Sequence, residues 1–149
     1  AFDFSQSTYA PRLHYRNGFK PLKHYFKLIG EVGTEEMQCV MAFEQLGQVK
    51  YWVRNLVGDS RNHFWLPTAT DLFYPDFVAM LTDGRLLVVE HKGDHLATND
   101  DSKEKRLIGK KWEEASHGKA LFLMTEKQDE HGRSIIEQIK AKVIAPTSR

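Results

Sequence analysis

The sequence has little of several features that would place a protein in a class at once. Its single cysteine, Cys39, excludes an internal disulfide framework and indicates a reducing compartment. With one cysteine no C-x-x-C pair exists, which argues against a structural zinc site. No apolar run reaches the roughly 18 residues that a membrane span needs, and the start does not resemble a signal peptide. We therefore expect a cytoplasmic protein.

An excess of one charge is also missing. Lys and Arg number 21 and Asp and Glu number 20, so the formal net charge is only +1. Bulk charge thus does not argue for a nucleic-acid partner, and any such binding must come from a local arrangement. The opening of the chain is the one basic stretch, because no acid lies between Asp3 and Glu31. Its basic residues, which could follow a nucleic-acid backbone, are Arg12, Arg16, Lys20, Lys23 and Lys27.

The length sets the domain organisation. A chain of 149 residues with 41% apolar content is long enough for one core and short for two. We expect a single domain over 1–149, with an irregular, aromatic and basic N-terminal extension at 1–30 and a core at 34–145. Because the chain begins with Ala1 and ends on "IAPTSR", we also expect it to be a fragment of a larger polypeptide.

Hydrophobic periodicity predicts an α/β protein in the order helix, three strands, helix, strand, helix. The helices are predicted at 34–46, 99–118 and 134–144, and a short strand or lead-in at 62–67. The strands of the sheet are predicted at 49–56, 72–81, 85–92 and 119–125.

The predicted helix ends and faces rest on a few residues. Thr34 is the expected N-cap of the first helix, and Asp101 with Glu104 resembles a capping box for the second, which Gly118 ends. The residues expected to face inward are Met37, Val40, Met41 and Leu46 in the first helix, Leu107, Ile108, Trp112 and Ala115 in the second, and Ile135, Ile136, Ile139 and Val143 in the third.

Three charges interrupt the apolar strands at 72–92, where an unpaired charge is costly. Glu90 and Lys92 share one face of their strand, and His91 points to the other face, where a packed core histidine is expected. Asp76 joins Glu90 only if the turn between the two strands has the right length, because cross-strand partners share a face.

Two turn lengths are possible. A two-residue loop at Asp83-Gly84 would pair Asp76 with His91. A three-residue loop over 82–84, with Gly84 in the left-handed conformation, would pair Asp76 with Glu90. We favour the second loop, since glycine is the residue type it requires.

Two carboxylates placed opposite each other need a cation between them. Magnesium is the default, because it accepts few protein ligands and keeps waters for a substrate. Lys92 would then stand near enough to orient or deprotonate a metal-bound water, or to stabilise charge on a phosphoryl oxygen. This set predicts metal-assisted hydrolysis of a phosphodiester. The alternative is an ion-pair cluster at the end of the sheet, in which Lys92 neutralises both acids.

The motif formed by Pro75-Asp76 and "EHK" at 90–92, within this element order, resembles the PD-(D/E)XK nuclease superfamily. The segments "VKYWVRNL", "FWLPTATDLFYPDFVAMLTDGRLLVVEHKG" and "DDSKEKRLIGKKWEEAS" are similar to the C-terminal nuclease domain of type III restriction enzymes and related helicase-linked restriction proteins. The resemblance covers approximately residues 35–124. It implies a restriction-endonuclease-like αβββαβ core with a four-stranded mixed sheet flanked by helices.

The resemblance also implies roles for particular residues. Asp76 and Glu90 would bind Mg²⁺, for which Mn²⁺ can substitute, and Lys92 would serve the hydrolytic step. Glu36 on the first helix would assist them, unless it is a solvated acid that the helix dipole stabilises. The main-chain carbonyl of His91 would complete the metal ligands.

DNA contacts are expected from the second helix. Lys103, Arg106 and Lys110 form a stripe that could hold the phosphate backbone, or else an ordinary solvated face. The resemblance places a lysine at Lys103. For Trp52 and Arg54, core packing and a structural ion pair are expected rather than DNA contact.

The resulting expectation is a magnesium-dependent endodeoxyribonuclease, a phosphodiester hydrolase acting through a metal-activated water, in a prokaryotic cytoplasm. The implied partners are DNA, an upstream helicase or translocase part of the parent chain, and a modification methyltransferase subunit. The 149 residues contain no Walker motif and would not hydrolyse ATP themselves. Two alternatives stay open, a structure-selective repair nuclease or resolvase of the same superfamily and a catalytically silent DNA-binding module.

Overall fold

The structure is a computed structural model, and it describes residues 2–6, 8–11, 20–60, 62–93 and 99–145. In this part of the chain the protein is α/β, with three helices and a four-stranded mixed sheet. The helices are α1 (Glu36–Gln45), α2 (Asn99–Ala115) and α3 (Ile135–Ile144), and a 3₁₀ turn covers Phe4–Gln6. The strands are β1 (Val49–Arg54), β2 (Leu66–Pro67), β3 (Leu72–Phe73), β4 (Phe77–Leu81), β5 (Leu86–His91) and β6 (Ala120–Thr125).

The main sheet has the order β1-β4-β5-β6. The first two pairings are antiparallel, and β5 pairs with β6 in parallel through the crossover that contains α2. The predicted element order is confirmed, but the strand predicted over 72–81 is wrong as one strand. Pro75 has no N–H to donate to a ladder, so the segment divides into β3, which pairs with β2, and β4, which enters the main sheet.

The β4–β5 hairpin has the three-residue loop that the glycine predicted. Phe77 pairs with Val89 and Met80 with Leu86. The Leu81 N–H donates to the Arg85 carbonyl at 2.9 Å, which closes the loop over 82–84. Gly84 has φ of +89°, in the left-handed region that other residues avoid. The predicted strand register is thereby confirmed.

The sheet is covered on both faces. Helices α1 and α3 pack on the face that carries Trp52, Phe77 and Leu87. Helix α2 and the N-terminal segment cover the other face, which carries Val53, Val88 and Phe122. Trp52 is fully buried, as expected, and its indole N–H donates to Glu44. None of the helices in the described ranges is long and apolar enough to cross a bilayer.

The beginning of α1 differs from the prediction. The helix begins at Glu36, Glu35 occupies the cap position, and no side chain caps the first turn, so Thr34 is not the N-cap. The Glu36 carboxylate instead accepts a hydrogen bond from the Gly33 N–H at 2.8 Å. Met41 is also exposed, because Cys39, Val40, Ala42 and Phe43 form the buried stripe.

Helix α2 is rotated relative to the prediction. It begins at Asn99, so Asp101 lies inside the first turn and is not part of a capping box. Leu107 is 53% exposed and Ala115 is exposed, whereas Ser102 and Gly109 are buried. Gly109 lies directly against the Phe122 ring, and this close approach of helix to sheet sets which face turns inward.

The described part of the N-terminal extension packs on the edge of the sheet. Lys23 and Tyr25 exchange main-chain hydrogen bonds with Trp52 on β1. The Lys23 ammonium donates to the carbonyls of Phe43 and Leu46 at 3.1 and 2.9 Å, so it caps the C-terminus of α1. Two residues of the predicted basic stretch, Arg12 and Arg16, lie outside the described residues.

Candidate functional site

A cleft of about 500 Å³ opens at the end of the sheet where β4 begins and β5 ends. The start of α1 forms one wall and the first turns of α2 form the other. Its charged lining residues are Glu35, Glu36, Asp76, Glu90, Lys92, Asp101 and Lys105. The cleft thus contains all four residues that the sequence analysis placed at a catalytic centre.

Asp76 and Glu90 meet in this cleft as the strand register requires. The Asp76 N–H donates to Glu90 Oε1 at 3.1 Å. In return, the His91 N–H donates to Asp76 Oδ2 at 2.8 Å. Each carboxylate is therefore oriented by a main-chain N–H of the neighbouring strand, that of Asp76 for Glu90 and that of His91 for Asp76.

The Glu90 carboxyl is held where a charge is unfavourable. Its side chain is only 12% exposed. Burial, and then the neighbouring Asp76 carboxylate, raise the pKa of Glu90 to about 9, although the Lys105 ammonium acts in the opposite direction. A charge on Glu90 is therefore costly in this cleft and depends on nearby positive charge.

Arg54 lies between Asp76 and Glu36. Its guanidinium donates to Asp76 Oδ1 at 3.1 Å and lies 3.3 Å from Glu36 Oε2. Further hydrogen bonds to the Asp76 and Glu31 carbonyls, and the face of the Phe77 ring, hold it in place. Burial opposes its charge, but the two carboxylates more than offset burial and raise the pKa of Arg54. The expected structural ion pair of Arg54 is confirmed.

Glu36 points into the cleft. Its side chain is 20% exposed and paired with Arg54, so it is not the fully solvated acid of the alternative interpretation. Burial raises the pKa of Glu36, Arg54 lowers it, and the Asp76 carboxylate raises it again. Three carboxylates thus converge on one end of the sheet.

Lys92 lines the cleft, but its ammonium points to another acid. Its Nζ lies 3.4 Å from Glu126 Oε1. Its main-chain N–H donates to the Thr125 carbonyl at 2.8 Å. The interpretation in which Lys92 neutralises both acids is therefore wrong. In the part of the chain that the structure describes, the cations in contact with Asp76 and Glu90 are Arg54 and Lys105.

Lys105 is the cleft residue that the sequence analysis missed. Its Nζ lies 3.3 Å from Glu90 Oε2 and 3.4 Å from Asp101 Oδ2, and 5.0 Å from the centre of the Phe73 ring. Burial opposes the charge, but the carboxylates of Glu90 and Asp101 together more than offset burial and raise the pKa of Lys105. The i,i+4 spacing of Asp101 and Lys105 was the available sequence signal.

The predicted DNA-binding stripe lies elsewhere on α2. Lys103, Arg106 and Lys110 are all exposed, and none of them lines the cleft. Arg106 contributes instead to a neighbouring depression that Glu126 and Arg133 also line. Contact of this stripe with phosphates stays a prediction.

His91 turns to the opposite face of the strand, as predicted. Its side chain is 4% exposed, with Nδ1 at 3.0 Å from Thr125 Oγ1 and Nε2 at 3.4 Å from Glu35 Oε2. The ring therefore ties β5 to β6 through Thr125, whereas Nε2 faces the start of α1 without a hydrogen bond to a described residue. Its main-chain carbonyl as a metal ligand stays a prediction.

The donor chemistry of the cleft fits Mg²⁺. Asp76 and Glu90 supply carboxylate oxygens, and one or two carboxylates are the usual protein contribution to a magnesium site that keeps its waters. Within the described ranges no group of three Asp, Glu, His or Cys side chains stands ready to enclose an ion. Arg54 and Lys105 instead take up part of the acceptor capacity of the acids.

Comparisons of the chain with models of protein families, with curated proteins and with solved structures gave no match. The resemblance to nucleases therefore stays a prediction that rests on the residues and motifs quoted above.

Proposed function

We propose that this chain is a magnesium-dependent endodeoxyribonuclease domain with the restriction-endonuclease-like core. The observation that carries the proposal is the opposition of Asp76 and Glu90 across β4 and β5 inside a cleft. Burying two carboxylates side by side is costly in a protein that makes no use of them. A divalent cation is the ligand that would offset this cost.

Each residue of the predicted catalytic centre has a role in the proposal. Asp76 and Glu90, with the His91 carbonyl and Glu36, would hold Mg²⁺, which when bound supplies Lewis-acid chemistry and lowers the pKa of water. Lys92 would turn from Glu126 to donate to a nonbridging oxygen of the scissile phosphate. The exposed stripe of α2 would hold the DNA backbone beside the cleft, and its residues are Lys103, Arg106 and Lys110.

A catalytically silent DNA-binding module is the second candidate. Two observations favour it, because Lys92 is engaged by Glu126 and the acids already have protein cations as partners. In such a module the cluster would only join α1, α2 and the sheet. Divalent ions would then bind no better to the protein than to a variant without Asp76.

Calorimetric titration with Mn²⁺ or Mg²⁺ separates the two candidates. We expect binding to wild type that Asp76→Ala abolishes. Glu130→Ala, which removes an acid whose side chain is 86% exposed in a loop, should bind like wild type. Identical isotherms for wild type and Asp76→Ala would discard the nuclease and leave the silent module.

Cleavage of duplex DNA in Mn²⁺ tests the chemistry. Asp76→Ala and Lys92→Ala should both lose cleavage while keeping the circular dichroism spectrum of wild type. Lys92→Ala should still bind the ion, because its ammonium contacts neither Asp76 nor Glu90. Unchanged cleavage in either variant would refute the assigned roles.

The biological setting is proposed from the resemblance alone. A type III-like restriction enzyme would add a helicase and a methyltransferase subunit. A panel of linear, single-stranded, nicked and branched DNA distinguishes this setting from a structure-selective repair nuclease or resolvase. A strong preference for junctions would favour the repair nuclease.

A further inference from the structure

The two protein cations in contact with the acids are held in different ways. Arg54 has main-chain anchors at Glu31 and Asp76 and lies on the Phe77 ring, so its guanidinium is fixed in position. Among the described residues, Lys105 contacts two carboxylates, at the longer distances of 3.3 and 3.4 Å, and the Phe73 ring beneath it. Of these two side chains, Lys105 is therefore the one whose charged group can move away from the acids.

We propose that Lys105 is a resident counter-ion of Glu90, which a divalent cation must displace in order to bind. Lys105 is thus a positioning residue that sets the metal affinity of the cleft. This inference rests on the proposed function, since it requires that the cleft take up a metal ion. It assigns Lys105 a role that the exposed lysines of α2 do not share.

Repulsion between a bound divalent ion and the Lys105 ammonium is the reason that one would displace the other. Glu90 Oε1 accepts the Asp76 N–H, and Oε2 is the oxygen that faces Lys105. An ion bound between the two carboxylates would lie within a few ångströms of the ammonium, where two positive charges repel strongly in a partly buried site. The ion and the ammonium therefore compete for the same oxygen.

The structure also provides a second position for the Lys105 ammonium, at the rim of the cleft. Asp101, one turn earlier on α2, already contacts the ammonium, and its side chain is 47% exposed at the rim of the cleft. A rotation of the lysine stem about this contact moves the charge outward without loss of its i,i+4 partner. Helix α2 itself need not move.

The test is Mn²⁺ affinity measured by calorimetry on the whole chain. Lys105→Met keeps the unbranched stem that packs near Phe73 but removes the charge, so we expect the dissociation constant to fall about tenfold. Lys105→Arg keeps the charge and should not bind more tightly than wild type. Lys111→Met removes an exposed lysine about 9 Å further along the same helix and is the matched control.

The outcomes separate this inference from the proposed function. Tighter binding in Lys105→Met with no change in Lys111→Met supports the exchange. Equal or weaker binding in Lys105→Met, while wild type binds in an Asp76-dependent way, overturns the exchange and leaves the nuclease proposal in place. Absence of Asp76-dependent binding in both proteins overturns both. Lys105→Gln, measured in parallel, provides a second neutral variant if methionine disturbs folding.

Discussion

Glu90 is the residue at which stability and the proposed activity conflict. Its carboxyl lies mostly buried beside Asp76, and burial and repulsion raise the pKa of Glu90 to about 9. A carboxyl whose pKa is higher in the folded than in the unfolded state destabilises the fold as pH rises between the two values. Without a bound cation, the protein therefore loses stability from about pH 4.5 to about pH 9 because of this one group.

Glu90→Gln is expected to raise the free energy of unfolding at pH 7.5 by roughly 1–3 kcal/mol, because the amide keeps the shape without the charge. Chemical denaturation in a chelating buffer measures the change. The gain should shrink toward pH 4.5, where the wild-type carboxyl is protonated in both states. A variant that is less stable than wild type at pH 7.5 would contradict the assigned cost.

Among single residues, the side-chain positions that depend on strand geometry could be predicted from the sequence. The opposition of Asp76 and Glu90 and the turn of His91 to the opposite face of the sheet follow from the period of two and one glycine. The role of Lys105 does not follow in the same way, because the phase of a helix about its axis depends on how closely it packs. Lys103, two positions earlier, also has an acid in the preceding turn, Asp100 at i−3, so an acidic neighbour does not single out Lys105.

The packing of α2 on the sheet depends on Gly109. A β-carbon at this position would overlap the Phe122 ring, so only glycine allows the helix to approach so closely. The same approach brings Lys105, one helical turn earlier, to Glu90. One residue without a side chain thus positions a wall of the cleft.

Gly109→Ala should destabilise the protein by about 1–3 kcal/mol, the usual cost of overpacking, despite the better helix propensity of alanine. Gly47→Ala is the matched control, since a β-carbon there meets nothing within 4 Å. Thermal or urea denaturation of both variants checks the difference. Equal stability of the two variants would show that α2 can move away without cost.

Helix ends were predicted less well than helices. A capping box exists, but at Ser134 and Glu137 of α3, where both reciprocal hydrogen bonds form, and not at Asp101 and Glu104. The C-terminus of α1 is capped by Lys23, about twenty residues earlier in the chain. Short patterns can identify a cap that is local, but not one supplied by a distant side chain.

In the whole molecule, the N-terminal segment closes the edge of the sheet. It pairs with β1 through a bridge between His24 and Trp52. This pairing covers main-chain N–H and C=O groups of the edge strand that could otherwise pair with a strand of another molecule. The His24 ring joins the two parts, because Nδ1 lies 2.7 Å from the Phe26 carbonyl and Nε2 accepts the Arg54 N–H at 3.1 Å. The neutral ring is the form that satisfies both contacts.

Burial lowers the pKa of His24 to about 4, although the Phe26 carbonyl favours the charged form. The unfolded chain then binds a proton before the folded one, so this group's contribution to stability is complete above about pH 6.5 and falls as pH drops toward 4. The loss is about 3 kcal/mol.

His24→Gln should lack this acid-induced loss, although it is expected to be less stable at pH 7. Urea denaturation of both proteins at pH 7 and pH 4.5 gives the difference. If both proteins lose stability equally, the ring does not link the segment to β1.

The element order and the mixed sheet were predictable because each long element has its own period, and the crossover helix lies between strands that pair in parallel. The N-terminal segment was not predictable. Its residues have no period of their own and acquire their structure from β1 and α1. The division of the predicted strand at Pro75 could have been predicted, because proline has no N–H for the ladder. The apolar residues on both sides of Pro75 instead favoured one continuous strand.

The turn at 82–84 also determines how the hairpin can change. It lies five rungs of the ladder, about 17 Å, from the Asp76 and Glu90 carboxylates. Exchanging residues there, apart from Gly84, leaves the alignment of the two strands intact. Deleting one residue of β5 between the turn and Glu90 would bring Asp76 opposite His91 and separate the two acids without altering either of them. Homologous chains that keep this cleft should therefore differ freely in the composition of the turn, but not in the number of residues that separate it from Asp76 and from Glu90.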